Sequence, residues 1–326
     1  MRAVVTGGAG FIGSHLIEAL IDRGADVVCV ERPGAPRRWV ENLDLQWRDH
    51  GLEDRRALRR AVRGADVIFH LAGLTEARSP RDFYRVNTEG TARVLDAASS
   101  SGGGAPRLLL LSSLAAIGPC RNGDLLSAST VPHPLSHYGN SKLLAEAVVH
   151  GYRGRVPATI LRLSSVYGPR ERAVLTLFQL IRRGVALTVG GWDREISLLY
   201  VDDLVQALIA AAASTAAADR TFCIAHPRPV TWREFAAAAG RALGREPRLF
   251  SLPVWAAKSV AVAAEATARA RGAAAVLNRG RVREMAQHRW VCDARPAIEE
   301  LGFRPAWPVE RGVAETATWY RSVGWL

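Results

Sequence analysis

Short apolar runs separated by amphipathic stretches set the pattern of the first half of this chain. Ala3-Val4-Val5 leads into Thr6-Gly7-Gly8-Ala9-Gly10-Phe11-Ile12-Gly13, an amphipathic stretch runs from Ser14 to Arg23, and after Gly24 comes a second run, Asp26–Val30. Runs this short and this apolar read as strands buried on both faces, with the amphipathic segments as helices covering them. The alternation continues through Asp66–Gly73 and Leu108–Leu111 to about residue 167. It predicts an α/β protein with a doubly wound parallel sheet and helices on both faces.

After Gly168-Pro169 the rhythm breaks, then returns near Ser197–Ala213 and adds a strand around Thr221–Ala225. Residues 1–168, joined by 197–225, are therefore expected to form the sheet domain. Residues 169–196 and 226–308 would form a smaller, discontinuous C-terminal substrate lobe, and 309–326 a C-terminal helix. Ser99-Ser100-Ser101-Gly102-Gly103-Gly104 reads as a loop and not a second phosphate cradle, because a strand follows it and no helix does. Leu252–Ala268 reads as an apolar, Ala-rich helix of the lobe. No internal repeat is evident.

The glycines of the first turn change the picture from fold to ligand. Strand, glycine turn, helix and strand together form a Rossmann-type unit suited to a dinucleotide. Gly7 permits the tight turn, Gly10 lets backbone approach a pyrophosphate, and Gly13 allows close helix–strand packing. Phe11 and Ile12 open the helix, whose free N–H groups and positive dipole end favour phosphate. At the end of the second strand, Glu31 can accept from ribose hydroxyls and repel a 2′-phosphate, which favours NAD. Arg32 beside it can pair with a 2′-phosphate and leaves NADP open.

Composition excludes several classes. The 326 residues hold 48% hydrophobic and 23% charged side chains, ample for a soluble core. The formal charge of +12 comes from arginines scattered along the chain with no interleaved aromatics, so a nucleic-acid partner is not expected. Cys29, Cys120, Cys223 and Cys292 show no metal-ligand spacing, and free thiols in a cytoplasmic protein are the simplest account. No leader and no membrane-spanning run is evident. The helix at Leu252–Ala268 is followed by Arg269, Arg271, Arg279, Arg281 and Arg283. Such a segment can lie on an anionic membrane surface or cover a greasy substrate, and the second is preferred.

The candidate chemistry lies at Tyr138 and Lys142. Lysine occurs only there and at Lys258, so a Lys four residues after a Tyr stands out against an arginine background. On a helix the two share a face, and an ammonium beside a phenol is expected to lower its pKa towards general acid–base use.

Gly7-x-x-Gly10-x-x-Gly13 with Tyr138-x-x-x-Lys142 resembles the extended short-chain dehydrogenase/reductase family, the NAD-dependent epimerase/dehydratase group. Asp66–Gly73, Asn87–Thr91, Leu108–Ser113, Arg162–Pro169, Tyr200–Leu204, Leu301–Pro305 and Trp319-Tyr320 are similar to its later landmarks. The resemblance implies hydride transfer at a secondary alcohol or ketone. Tyr138 would be its acid/base, Lys142 would steady the phenolate and the nicotinamide ribose, and Ser113 would hold the reacting oxygen. It also implies that Leu71, Ala72 and Gly73 lie beside the cofactor, that Asp49 meets the adenine edge and that Asn87 is structural and cofactor-facing. A homodimer is expected on the same ground.

Departures narrow the substrate. Leu114 and Ala115 replace the Asp-Glu pair of sugar 4,6-dehydratases, which argues against dehydration. Ser165, counted among the cofactor-facing residues, stands where nucleotide-sugar enzymes often carry Asn. Ile196 stands where they carry a diphosphate-binding Arg, with Arg194 two residues away. Leu252-Pro253-Val254-Trp255 and Tyr167–Glu171 are similar to the 3β-hydroxysteroid dehydrogenase-like branch. The expected activity is an NAD(P)-dependent dehydrogenase/reductase for a ring alcohol or other apolar carbonyl compound. A nucleotide-sugar epimerase is the alternative, and a non-catalytic nucleotide-sensing scaffold comes third.

Overall fold

Strand order decides where a ligand can sit in this chain. The computed structural model describes residues 1–102 and 104–326. The first half runs β1 (Arg2–Thr6), α1 (Phe11–Ile21), β2 (Asp26–Val30), β3 (Gln46–Arg48), α2 (Arg55–Val62), β4 (Val67–His70) and α3 (Pro80–Phe83). A π-helical turn, Tyr84–Glu89, leads into α4 (Gly90–Ser99), β5 (Arg107–Ser113), α5 (His137–His150) and β6 (Ala158–Leu163). Next come β7 (Ser165–Tyr167), α6 (Leu175–Arg182), β8 (Val185–Val189), β9 (Glu195–Ile196), β10 (Leu198–Tyr200), α7 (Val201–Ala213) and β11 (Thr221–Ile224). The chain closes with β12 (Val230–Thr231), α8 (Trp232–Leu243), β13 (Arg248–Leu252), α9 (Val254–Ala270), α10 (Arg279–Met285), β14 (Arg289–Trp290), α11 (Arg295–Leu301) and α12 (Val309–Ser322).

Among the described residues, seven strands pair in one sheet, in the order β11-β6-β5-β4-β1-β2-β3. Every pairing in it is parallel. The order reverses between β1 and β4, whose last residues, Thr6 and His70, lie side by side. A doubly wound sheet opens its binding crevice at that switch point. Alternation along the strands fills both faces. Ala3, Val5, Phe69, Leu109 and Leu161 pack with Leu16, Leu20 and Leu208 on one side. Val4, Ile68, Leu110 and Ile160 pack with Leu58, Leu95 and Val149 on the other.

The expected strand after residue 220 is β11, an edge strand of this sheet paired with β6. Outside the sheet, Tyr167, Phe178, Phe235 and Tyr320 meet edge to face in a separate aromatic core. The Tyr320 hydroxyl donates to the Glu171 carbonyl at 2.5 Å, tying α12 to the chain just beyond the sheet. The expected apolar helix begins later than Leu252, which ends β13. Pro253, with ψ 142°, keeps the chain extended for one more residue. The expected loop at 99–104 starts at Ser100, since Ser99 closes α4, and Gly103 lies outside the described residues.

Candidate active site

The glycine turn is shaped by close approach. Gly7 has φ +76°, and a Cβ there would stand 2.7 Å from the Ala72 nitrogen. A Cβ on Gly13 would overlap the Gly7 carbonyl oxygen and sit 2.6 Å from Gly8 Cα, so α1 presses directly onto the turn. Gly10 is different: it is exposed, and a Cβ would touch only the Gly7 oxygen, at 3.3 Å. What a side chain there would fill is the open space before Phe11 and Ile12, where no side chain caps the helix and no acid lies in its first turn. Uncapped N–H groups and unopposed dipole suit an anion such as a pyrophosphate.

Glu31 follows β2 and reaches back to this turn, its Oε1 accepting from the Ala9 N–H at 2.8 Å. Burial pushes its carboxyl up, while the Ala9 and Arg32 amides pull it down. Arg32 and Asp49 stand exposed on the rim beside it. Residues with hydroxyl-accepting capacity thus flank the crevice on the β2 side, as a dinucleotide's ribose requires.

A buried relay fixes the opposite wall. The Thr6 hydroxyl lies 2.7 Å from His70 Nδ1 and accepts from the Ala72 N–H at 3.2 Å. His70 Nε2 lies 3.0 Å from the Thr91 hydroxyl, which donates to the Asn87 carbonyl at 2.6 Å. Thr91 spends its proton on Asn87, so His70 must donate from Nε2 and accept from Thr6 at Nδ1. Desolvation, with Lys142 adding to it, depresses the His70 pKa to about 3 and keeps the ring neutral. Leu71–Gly73 are thereby held against Gly7, with the Leu71 N–H bonded to the Thr6 carbonyl at 3.1 Å.

Asn87, in the π-helical turn, clamps the same loop to α5. Its Oδ1 accepts from the Leu74 N–H at 2.7 Å, and its Nδ2 donates to the Leu74 carbonyl and the Ser141 hydroxyl at 3.1 and 2.8 Å. A Cβ on Gly73 would come within 3.1 Å of both Asn87 Oδ1 and Lys142 Nζ.

Helix α5 begins at the Ser136 cap, whose hydroxyl accepts from the Gly139 N–H at 3.0 Å. This sets Tyr138 in the first turn and Lys142 one turn on, as the spacing predicts. Lys142 Nζ donates to the Leu111 carbonyl at 2.8 Å, and burial pulls its pKa to about 8 although Glu146 opposes. Tyr138 is not depressed as the sequence suggests. Burial raises its phenol to about 12; a hydrogen bond with Ser113 and the charge of Arg281 lower it, and Glu284 raises it. The difference has a plain cause: the Lys142 ammonium points its hydrogen bond at the Leu111 carbonyl, whereas Ser113 is the group that meets the phenol.

Two charged residues that sequence reasoning missed, Arg281 and Glu284, act on this phenol, and Glu76 and Glu171 gather about Arg281 behind them. Arg281 Nη1 pairs with Glu76 Oε1 at 2.9 Å, joining α10 to the loop after β4. Glu284, on the same helix, accepts from the Ser136 hydroxyl at 2.5 Å. Glu171, its carboxyl raised chiefly by burial, feels both Arg281 and Glu76. Ser136 and Glu284 lie 148 positions apart, so no local spacing announces them.

The structure therefore gathers Gly7, Leu71–Gly73, Asn87, Ser113, Tyr138 and Lys142 around one crevice, with Gly10, Phe11, Ile12, Gly13 and Glu31 along its floor. Ser165 is exposed at the start of β7. Arg194 is elsewhere, buried and bonded to the Thr188 hydroxyl at 2.7 Å and the Gly191 carbonyl at 2.8 Å. Ile196 is likewise buried in the aromatic core.

Residues 3–225, which include every one of these crevice residues except α10, match the NAD dependent epimerase/dehydratase family. The chain belongs to that family. A ceramide reductase of Caulobacter vibrioides is 31% identical to this family member over 324 residues, 99% of this chain and 95% of that protein. A 3β-hydroxysteroid-dehydrogenase/decarboxylase of Arabidopsis thaliana is 26% identical, matching 96% of this chain and 61% of its own length. Among solved structures, MoeE5 in complex with UDP-glucuronic acid and NAD superposes with a TM-score of 0.78 at 26% identity, covering 99% of this chain and 100% of that one. Among the described residues, no helix is long and apolar enough to cross a membrane.

Proposed function

We propose that this family member is a nicotinamide-dependent reductase of a ketone on a long-chain lipid with a hydroxyl- or amide-bearing head, working as a dehydrogenase in reverse. The observation that carries this reading is the charge beside Tyr138: Glu284 and Arg281 act on the phenol, and Arg281, already paired with Glu76, also has Glu171 near it. A diphosphate there would meet carboxylates, whereas hydroxyl and amide N–H groups would find acceptors. The likeness to the Caulobacter vibrioides ceramide reductase, over almost the full length of both chains, supports the same substrate class.

Glu31 and the glycine turn suit NAD, and bound there the dinucleotide supplies the hydride. The chain provides the rest. Tyr138, a protonated phenol at neutral pH, donates its proton to the ketone oxygen. Ser113, on exchanging its bond to the phenol, donates to that oxygen, so that the developing alkoxide is met by two donors. Lys142 sits where it can bind ribose hydroxyls on exchanging its bond to Leu111. The ketone gains one hydride and one proton and leaves as a secondary alcohol.

Overall likeness to MoeE5 favours a second reading, an NAD-dependent nucleotide-sugar epimerase. That reading needs a cation for the diphosphate, and Arg194 is committed to Thr188. Purified protein supplied with NADH and a ceramide oxidised to its ketone should consume NADH. Interconversion of UDP-glucuronic acid with its 4-epimer, and no NADH consumption with the ketone, would reverse the ranking.

A further inference from the structure

Helix α9 is turned inside out. It packs through small residues: Ala257 and Ala261 are fully buried, and Ala264 and Ala268 are half-buried on the same side. Its outward face instead carries Trp255, 73% exposed, and Val262, 51% exposed, with Ser259 between them and Ala263 and Ala266 beyond. The strand feeding it through Pro253 continues the theme, because Phe250 of β13 and Leu187 of β8 are register partners and both are exposed. A patch of this kind left in water is unfavourable and marks a partner.

Charge identifies the partner. The one acid of α9, Glu265, is taken up by Arg279 at 2.9 Å. Lys258 and Arg269 stand exposed along one flank of the apolar face, and Arg271 follows the helix. Arg182, Arg183 and Arg248 stand exposed at the start of the β8–β13 ribbon, where the Arg248 N–H meets the Gly184 carbonyl at 2.9 Å. None of these six cations is in an ion pair among the described residues. A second copy docking by this face would bring like charges together across a twofold axis. An anionic bilayer meets both requirements, taking the Trp and Val side chains at its interface and the cations at its headgroups.

We infer that the outward face of α9 docks the protein onto an anionic lipid bilayer. Contact is interfacial, since among the described residues no helix can cross a membrane. The docked helix packs on α10, whose Arg281 and Glu284 face Tyr138, so a lipid substrate leaving the bilayer has a short route to the phenol. That last step rests on the lipid reading of the site; the docking does not.

Flotation of the full chain tests it, without dinucleotide or substrate, using vesicles of phosphatidylcholine alone or with roughly 30 mol % phosphatidylglycerol. The protein should float with the anionic vesicles only, and less at high salt. The double variant Lys258→Gln and Arg269→Gln should weaken binding about thirtyfold, at about 1 kcal/mol per cation lost. Trp255→Ser with Val262→Ser should weaken it about tenfold, with the wild-type melting temperature kept. Absence of flotation with either vesicle, or variants that float like the wild type, would overturn the inference. So would a Trp255→Ser protein that only loses self-association. A protein that floats but leaves the lipid ketone unreduced keeps the docking and sinks the substrate reading; one that reduces the ketone in detergent but never floats does the reverse.

Discussion

The Ser136 hydroxyl, at the cap of the helix that carries Tyr138, donates to Glu284 of α10 at 2.5 Å. This bond places a carboxylate from a distant part of the chain beside the phenol, where its charge works against phenolate formation. Glu284→Gln keeps the shape and removes that charge, so the Tyr138 pKa should fall. In the proposed reduction Tyr138 is the proton donor, so its protonated form would then be lost sooner as pH rises. The alkaline limb of the kcat/KM profile should move to lower pH by roughly half a unit to one unit. A limb that stays in place would separate Glu284 from the chemistry.

Tyr138→Phe removes the proton donor and leaves the packing against Phe83, 6.2 Å between ring centroids. The expected loss in kcat is about a thousandfold, with dinucleotide affinity little changed. Ser113→Ala should cost less, on the order of ten- to a hundredfold, because one of two donors to the oxygen remains. Single-turnover reduction followed at the nicotinamide absorbance band measures both. Retention of full turnover by Tyr138→Phe would restore the scaffold reading.

Much of this was legible before the fold was known, and the reason is local spacing. Gly7, Gly10 and Gly13 act within one turn, and Tyr138 and Lys142 within one helix, so short-range geometry carries their signal. The same is true of the parallel sheet, whose strands are apolar because both faces are covered. What escaped has the opposite character. Glu76, Glu171, Arg281 and Glu284 become neighbours only when α10 folds back on the loop after β4, and each looks like ordinary surface charge in sequence. His70 ends a buried strand, yet its partners Thr6 and Thr91 come from other elements. The expected effect of Lys142 on Tyr138 failed for a related reason: helical spacing brings two side chains to one face, but the Leu111 carbonyl decides where the ammonium points.

Gly73 tests how tightly that ammonium is held. Its absent Cβ leaves room for Lys142 Nζ and Asn87 Oδ1, both 3.1 Å from where the carbon would be. Gly73→Ala must displace one of them, and the Asn87 amide is fixed by three hydrogen bonds. Lys142 should move, weakening dinucleotide binding by about tenfold, with a smaller effect on melting temperature. Titration calorimetry with NAD measures the affinity, and an unchanged value would show that Lys142 does not contribute to the dinucleotide site.

His70 makes stability depend on pH in a defined direction. Folding depresses its pKa from 6.5 to about 3, so between those values the unfolded chain binds a proton that the folded chain refuses. The stabilisation is fully present above pH 6.5 and is lost as pH falls towards 3, at about 1.4 kcal/mol per pH unit. His15, depressed to about 4 chiefly by burial, adds a parallel slope over the upper part of the same window. His70→Gln supplies an amide that can accept from Thr6 and donate to Thr91 but cannot titrate. Urea unfolding between pH 7 and pH 4.5 should show the variant losing stability less steeply than the wild type, by about 1.4 kcal/mol per pH unit below pH 6.5, whatever its absolute stability at pH 7. Equal slopes would mean that His70 takes up its proton in the fold as readily as in the unfolded chain, with Nδ1 then donating to Thr6 while Nε2 still donates to Thr91.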